Sequence, residues 1–180
     1  MERINKILRH PEYLACLEKN EMAEENRIFC HHHIEHFLSV ARIAMLENLQ
    51  ENLQIDAEII YSSAILHDIG RFLQYENGTP HEVASAEIAK KILFACDFDE
   101  NETEIILQVI LQHRGSKKSE DAIACGDNEK LKKDSSTKNN VKIIADLLYR
   151  ADKMSRNCFC CKAYDQCNWP KERKEALLVY

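Results

Sequence analysis

Six side chains spread along this sequence belong to the types that bind metal ions: His36, the adjacent His67-Asp68, His81, His113 and Asp152. The adjacent pair is the most telling. It closes the apolar run Ile59-Ile60-Tyr61-Ser62-Ser63-Ala64-Ile65-Leu66 and is followed by Ile69-Gly70. A fold rarely takes an imidazole and a carboxylate into its core without giving them a partner. Each of the others has a plainer reading when taken alone. A lone histidine on an apolar helix face is usually a hydrogen-bonded core residue, and a buried aspartate can pair with Arg or Lys. Several such residues, one on nearly every core helix, are better explained by one shared metal site. Mixed imidazole and carboxylate donors suit iron, manganese, zinc or cobalt rather than magnesium or calcium. The chemistry open to such a site is attack by a metal-activated water.

The elements that must position these residues are helical. Ile34, Phe37, Leu38, Ala41, Met45 and Leu49 recur at three- and four-residue steps. Residues 56–68 are apolar almost all round, which predicts a central buried helix ended by Gly70. Thr79-Pro80-His81-Glu82 has the form of a capping box with Pro at the first helical position. His81 then falls in a first turn, where the helix dipole disfavours imidazolium and leaves the ring free to ligate. Asp99 and Glu102 form a second box-like start, Ile105, Ile106, Val109, Ile110 and His113 share a face, and Gly115 stops that helix. Residues 116–140 are polar and charged and read as an exposed, partly helical insertion. Val141, Ile144, Leu148 and Asp152 align on one face of a last helix. The fold class expected is all-α, a single domain over residues 1–180 with a Cys-rich tail at 157–180.

Composition narrows the functions available. With four Gly and three Pro in 180 residues, a chain of many short strands is disfavoured. Apolar content of 45% beside 30% charged residues reads as globular. A net charge of −6 offers no electrostatic footprint for nucleic acid, so none is expected as a partner. No membrane partner is expected either, since no apolar run reaches the length of a span. Met1-Glu2-Arg3-Ile4-Asn5-Lys6 has no signal-peptide apolar region, and eight cysteines then read as reduced thiols or metal ligands in a cytoplasmic protein.

In order and context these residues resemble the HD phosphohydrolase superfamily, whose pattern is one histidine, an adjacent His-Asp pair and a later aspartate. His36-Phe37-Leu38-Ser39-Val40-Ala41 looks like its first-histidine helix. Ala64-Ile65-Leu66-His67-Asp68-Ile69-Gly70-Arg71 looks like its signature, and Tyr149-Arg150-Ala151-Asp152-Lys153 like its last-aspartate helix. The likeness runs from about Arg27 to Arg156 and implies an HD-domain helical bundle. His81 and His113 stand where the binuclear branch carries two further histidines, a branch that includes bacterial HD-type dinucleoside tetraphosphate hydrolases. The resemblance implies one metal on His36, His67, Asp68 and Asp152, with Asp68 bridging to a second on His81 and His113. Two divalent ions, iron, manganese or zinc, are the cofactors implied. Arg114-Gly115-Ser116 follows His113 in place of the Gly-Tyr-Pro of the cyclic dinucleotide phosphodiesterases, so that substrate is not carried over.

The function expected is therefore hydrolysis of a phosphoester or phosphoanhydride of a nucleotide or other small phosphorylated molecule. Asp68, Arg71 and Lys153 are the expected catalytic residues. Arg71, Arg114, Lys153 and Arg156 follow the metal-site residues closely and are the candidates to hold substrate phosphate. The competing reading makes them cations at helix C-termini. His32, one turn before His36, could face the site or the solvent, while His31 and His33 read as a solvated helix start. Cys158, Cys160, Cys161 and Cys167 are either a structural metal site or free thiols. Trp169 and residues 176–180 are expected to pack on the core. The same donors would serve an HD-type di-iron oxygenase or a non-enzymatic metal-bearing nucleotide sensor.

Overall fold

The computed structural model describes residues 1–114 and 135–174. Eight α-helices follow one another: α1 (Glu2–Leu8), α2 (Pro11–Ala23), α3 (Ile34–Gln50), α4 (Ala57–Leu66), α5 (Arg71–Asn77), α6 (His81–Ala95), α7 (Glu100–Gln112) and α8 (Ser135–Met154). Two 3₁₀ turns, Cys158–Cys160 and Lys171–Arg173, come after them. No strand occurs among the described residues, and the fold class is all-α.

Helix α4 is the axis of the fold. Ile59, Ile60, Ser62, Ser63, Ala64, Ile65 and Leu66 are all buried, because α1, α3, α6, α7 and α8 pack around it. Ser62 is tolerated there because its hydroxyl donates to the Glu58 carbonyl one turn back. Asp56 caps the helix, accepting from the backbone N–H of Glu58 and Ile59. At the other end α4 delivers His67 and Asp68 into the centre of the bundle, where they are 0% and 4% exposed.

Gly70 does not end α4 with a left-handed cap, as the sequence suggests. Its φ is −92°, and the left-handed glycine is Gly78 at the end of α5, with φ +80°. What Gly70 supplies is the absence of a side chain. A Cβ there would lie 2.6 Å from the Ser85 backbone nitrogen and 2.7 Å from the Ala84 carbonyl carbon. Helix α6 thus docks directly on the His67–Gly70 turn, and the Gly70 N–H donates to the Ser85 hydroxyl at 3.0 Å. Gly70→Ala is expected to destabilise the protein by about 1–3 kcal/mol, since backbone rather than a flexible side chain must give way. A melting temperature equal to the wild type's would refute the close-approach account.

Asn20 holds the same turn from its other side. Fully buried on α2, it donates from Nδ2 to the Asp68 carbonyl at 3.0 Å and accepts the Phe72 N–H at 2.8 Å. Far from the site, Arg3 fastens α1 to α4 and α7 through Glu58 and Glu102, each at 2.6 Å.

The two capping boxes expected from sequence turn out differently. At α7 the box forms: the Asp99 carboxylate accepts the Glu102 N–H at 2.8 Å, and the Glu102 carboxylate accepts the Asp99 N–H at 3.1 Å. At α6 it does not. Thr79 turns back to Asn77 through its N–H at 3.0 Å and its hydroxyl at 2.7 Å. Pro80 becomes the N-cap, without a side-chain cap, and α6 opens on His81. The expected insertion at 116–140 is also shorter at its end, because Ser135–Asn140 already belong to α8. Its remainder, the Gly115 stop and residues 176–180 lie outside the described residues. Trp169 is half-buried against cations rather than in the hydrophobic core: Arg156 lies 4.2 Å and Lys153 5.5 Å from its ring centroid.

Candidate metal centre

The site lies where the ends of α4 and α7 meet the starts of α3 and α6 and the last turn of α8. His36 enters from the first turn of α3, the His67-Asp68 pair from the end of α4, His81 from the first residue of α6, His113 from the cap of α7, and Asp152 from α8. All six expected residues come together. His36, His67 and Asp152 each bring a donor atom within 4.8 Å of the other two, and so do His67, Asp68 and His113. His67 is common to both groups. His81 stands outside both, with its Nε2 3.1 Å from Asp68 Oδ1.

Hydrogen bonds decide which nitrogen of each ring faces inward. His67 Nδ1 lies 2.7 Å from the Ala64 carbonyl oxygen and His113 Nδ1 2.5 Å from that of Ile110. Only an N–H can face a carbonyl in this way. His81 Nδ1 is 2.8 Å from Gln74 Oε1, which again calls for an N–H. His36 Nδ1 is 3.3 Å from the Ser155 hydroxyl, and that hydroxyl donates its own proton to the Asp152 carbonyl at 2.8 Å. For His67, His113 and His36, Nδ1 carries the hydrogen and Nε2 is left with its lone pair; for His81 the Gln74 oxygen favours the same tautomer, with the Arg71 guanidinium 3.2 Å away on the same nitrogen.

Those Nε2 atoms point at carboxylates. His67 lies 3.4 Å from Asp68 Oδ2, His81 3.1 Å and His113 3.7 Å from Asp68 Oδ1, and His36 3.3 Å from Asp152 Oδ1. A carboxylate accepts and a lone pair accepts, so these contacts repel unless a cation lies among them. Protonated rings would relieve the repulsion, but burial pushes His67 below the ordinary imidazole range and His81 down to about 3. Burial opposes ionisation of Asp68, and only positive charge at the surrounding imidazole positions holds its carboxyl below the usual range; with neutral rings, a bound cation has to supply that charge. Burial likewise opposes ionisation of Asp152, whose carboxyl is nevertheless held low, with the Lys153 ammonium paired to it. His36 Nε2, His67 Nε2 and Asp68 Oδ1 are buried without a hydrogen-bond partner. Unpartnered lone pairs around ionised carboxylates fit a divalent transition metal.

The cations fall on two sides. Lys153 pairs with Asp152 Oδ2, and Arg156 Nη2 lies 3.7 Å from the same oxygen. Arg71 is near His81, its Nη1 3.2 Å from Nδ1, while its Nε donates to the Tyr75 hydroxyl. Arg114 is more peripheral, 44% exposed and 3.5 Å from Glu82. His31 and His33 stay outside: His31 Nε2 meets the Arg27 carbonyl, and His33 is the N-cap of α3.

His32 does face the site, though not for the helical reason. Helix α3 begins at Ile34, so the four-residue spacing to His36 is not a helical turn. Glu24 draws His32 in. Its Oε1 lies 2.6 Å from His32 Nδ1, and its Oε2 accepts the His32 backbone N–H at 2.7 Å. Glu24 is 1% exposed. Burial raises its pKa, but His32 and the Tyr75 hydroxyl outweigh burial and bring it down to about 2. Glu24, Asn20, Gln74 and Ser155 were all missed from sequence, and only Ser155, beside the last-aspartate helix, had a positional hint.

Among the described residues no group of three close donors contains a cysteine. Cys158, Cys160, Cys161 and Cys167 are free thiols, Cys160 lying exposed with its Sγ toward the Asn157 carbonyl.

The family model of the HD domain matches residues 33–157. The chain belongs to the HD domain family. That span holds all six of the expected metal-binding residues and leaves His32 just outside it. HD domains are in general metal-dependent hydrolases. The chain is 48% identical to an uncharacterised protein of Clostridium beijerinckii over the full length of both. It is 33% identical to ribonuclease Y of Mycoplasma mycoides over 91 residues, 51% of this chain and 16% of that protein. A similar match, 28% over 106 residues, covers 59% of this chain and 18% of ribonuclease Y of Pseudothermotoga lettingae. The chain thus spans under a fifth of the length of the ribonucleases it matches. No solved structure matches. Among the described residues, no helix is long and apolar enough to cross a membrane.

Proposed function

We propose that this chain is a metal-dependent phosphohydrolase that cleaves a phosphoester or phosphoanhydride of a nucleotide or another small phosphorylated molecule. Two divalent metals would be held by His36, His67, Asp68, Asp152, His81 and His113. The observation that supports this most directly is the convergence of buried imidazole and carboxylate donors, with His36 Nε2, His67 Nε2 and Asp68 Oδ1 lacking any hydrogen-bond partner. Bound metal supplies a water of lowered pKa and neutralises charge on phosphoryl oxygens. The chain's part is to fix the donors through their Nδ1 bonds, and to bring Lys153, Arg156 and Arg71 to the rim, where they can bind and orient a phosphate.

Arg71 has a specific role in this reading. Its Nη1 and Gln74 Oε1 compete for His81 Nδ1. If His81 ligates through Nε2, Nδ1 carries the proton, and Gln74 can accept it while Arg71 cannot. The hydrogens of Arg71 Nη1 are then left for an anion. Arg71→Ala is expected to lower kcat/KM by roughly ten- to a hundred-fold, the scale of one lost charge-assisted hydrogen bond, with metal content unchanged. Unchanged turnover with a lower melting temperature would reduce Arg71 to a packing and capping residue.

A second reading is cleavage of a phosphodiester in RNA, favoured by the likeness to ribonuclease Y across about half the chain. The net charge of −6 weighs against an extended RNA-binding face. Elemental analysis of protein purified without chelator, followed by a screen of nucleotides beside single-stranded RNA, separates the two. Release of phosphate or nucleoside from small substrates with RNA left intact supports the first reading. RNA cleavage alone supports the second, and metal-free protein with no hydrolysis overturns both.

A further inference from the structure

His32 is built like the four site histidines but lies outside the set of six expected from sequence. Its Nδ1 faces an acceptor, Glu24 Oε1, at 2.6 Å. Its Nε2 faces a carboxylate, Asp68 Oδ2, at 3.4 Å, the distance at which His67 faces the same oxygen. The Asp68 carboxylate is therefore flanked evenly, by His32 and His67 on Oδ2 and by His81 and His113 on Oδ1. The ring of His32 is nearly perpendicular to that of His36, at 86°, with centroids 5.6 Å apart. Its side chain is 12% exposed, against 11% for His36.

The support behind His32 is more elaborate than behind any of the others. Glu24 accepts from the His32 ring, the His32 backbone N–H and the Tyr75 hydroxyl, the last at 2.6 Å. A nearly fully buried glutamate with three donors fixes both the tautomer and the direction of the ring. It also makes Nε2 a stronger electron donor, as a carboxylate does behind a metal-bound histidine. A solvated loop histidine has no need of such a partner.

We propose that His32 is a further metal ligand of this centre, binding through Nε2 on the Oδ2 side of Asp68, with Glu24 as its positioning residue. The inference rests on the reading of the site as a metal centre. It makes the site one imidazole richer than the six residues of the sequence pattern, and it draws α2, through Glu24, into metal binding. Greater nitrogen content shifts the preference further toward transition metals and away from magnesium.

The test is metal binding rather than turnover. Wild type, His32→Ala, His32→Gln and Glu24→Gln are loaded with Co(II) or Mn(II). Affinity is then read by competition with a chelator, and the ligand field from the visible spectrum of the Co(II) form. His32→Ala is expected to bind at least one ion about 10–100-fold more weakly and to change the Co(II) spectrum, with an unaltered far-ultraviolet circular dichroism spectrum. Glu24→Gln, which keeps the shape of the side chain, is expected to weaken binding about tenfold in the same direction. Wild-type affinity and an unchanged spectrum in both His32 variants overturn the proposal. If wild type itself binds neither ion, the metal-centre reading fails and this proposal with it.

Discussion

Asp68→Ala is expected to strip the protein of metal and turnover while leaving its helices in place. Each oxygen of this carboxylate faces two imidazole nitrogens, at 3.4 and 3.4 Å on Oδ2 and 3.1 and 3.7 Å on Oδ1. No other single side chain faces so many of the candidate donors. Loss of a partner behind a ligand costs about 10–100-fold in affinity, so loss of the group at the centre should exceed about 100-fold. The fold should survive, because Asn20 grips the Asp68 backbone carbonyl, not its side chain. Without metal the variant should be at least as stable as wild type, by about 1 kcal/mol, since a buried charge facing lone pairs has been removed. Elemental analysis and melting curves in chelator measure both effects. Full metal content in Asp68→Ala would show that the site has been assigned to the wrong residues.

The double change His81→Ala with His113→Ala is expected to lower the metal count from two per chain to about one. Both rings face Asp68 Oδ1, whereas His36, His67 and Asp152 form a separate close group that the double change leaves intact. Hydrolysis should fall with the lost ion, because a single metal cannot both activate water and clamp the phosphoryl oxygens from the far side. Both rings are nearly fully buried, so a stability loss of about 2 kcal/mol should accompany the change without loss of helical content. Metal counts on wild type loaded separately with manganese, iron and zinc provide the reference. If no metal brings wild type above one ion per chain, His81 and His113 belong to substrate binding instead.

The two capping boxes show how far local sequence reaches. Asp99 and Glu102 form theirs even though Arg3 also binds the Glu102 carboxylate, which has oxygens enough for both. Thr79 has the same local pattern, but Asn77 captures its N–H and hydroxyl first, and α6 opens without a side-chain cap. Gly70 makes a related point. Its presence after the His-Asp pair is plain from the sequence, yet the purpose read from it was wrong. The constraint comes from Ser85 and Ala84 on α6, and a contact across that distance in sequence has no local signature.

His32 shows the same limit. Its spacing to His36 suggests a shared helical face, but α3 starts after it, and Glu24 at the end of α2 determines where the ring points. The helical class, the central apolar helix, and the identity and order of the residues from His36 to Asp152 are all legible in the chain. Those features follow from a 3.6-residue period and from the cost of burying polar groups, both of which are local. Which ring nitrogens face the carboxylates emerges only once the helices are packed. For His67 and His113 the Nδ1 partner is a carbonyl three residues back, but His36 depends on Ser155, 119 residues away, and the turn that carries Asp68 is held by Asn20, 48 residues away. Those long-range hydrogen bonds form only when separate helices are packed, and no periodicity in the chain encodes them.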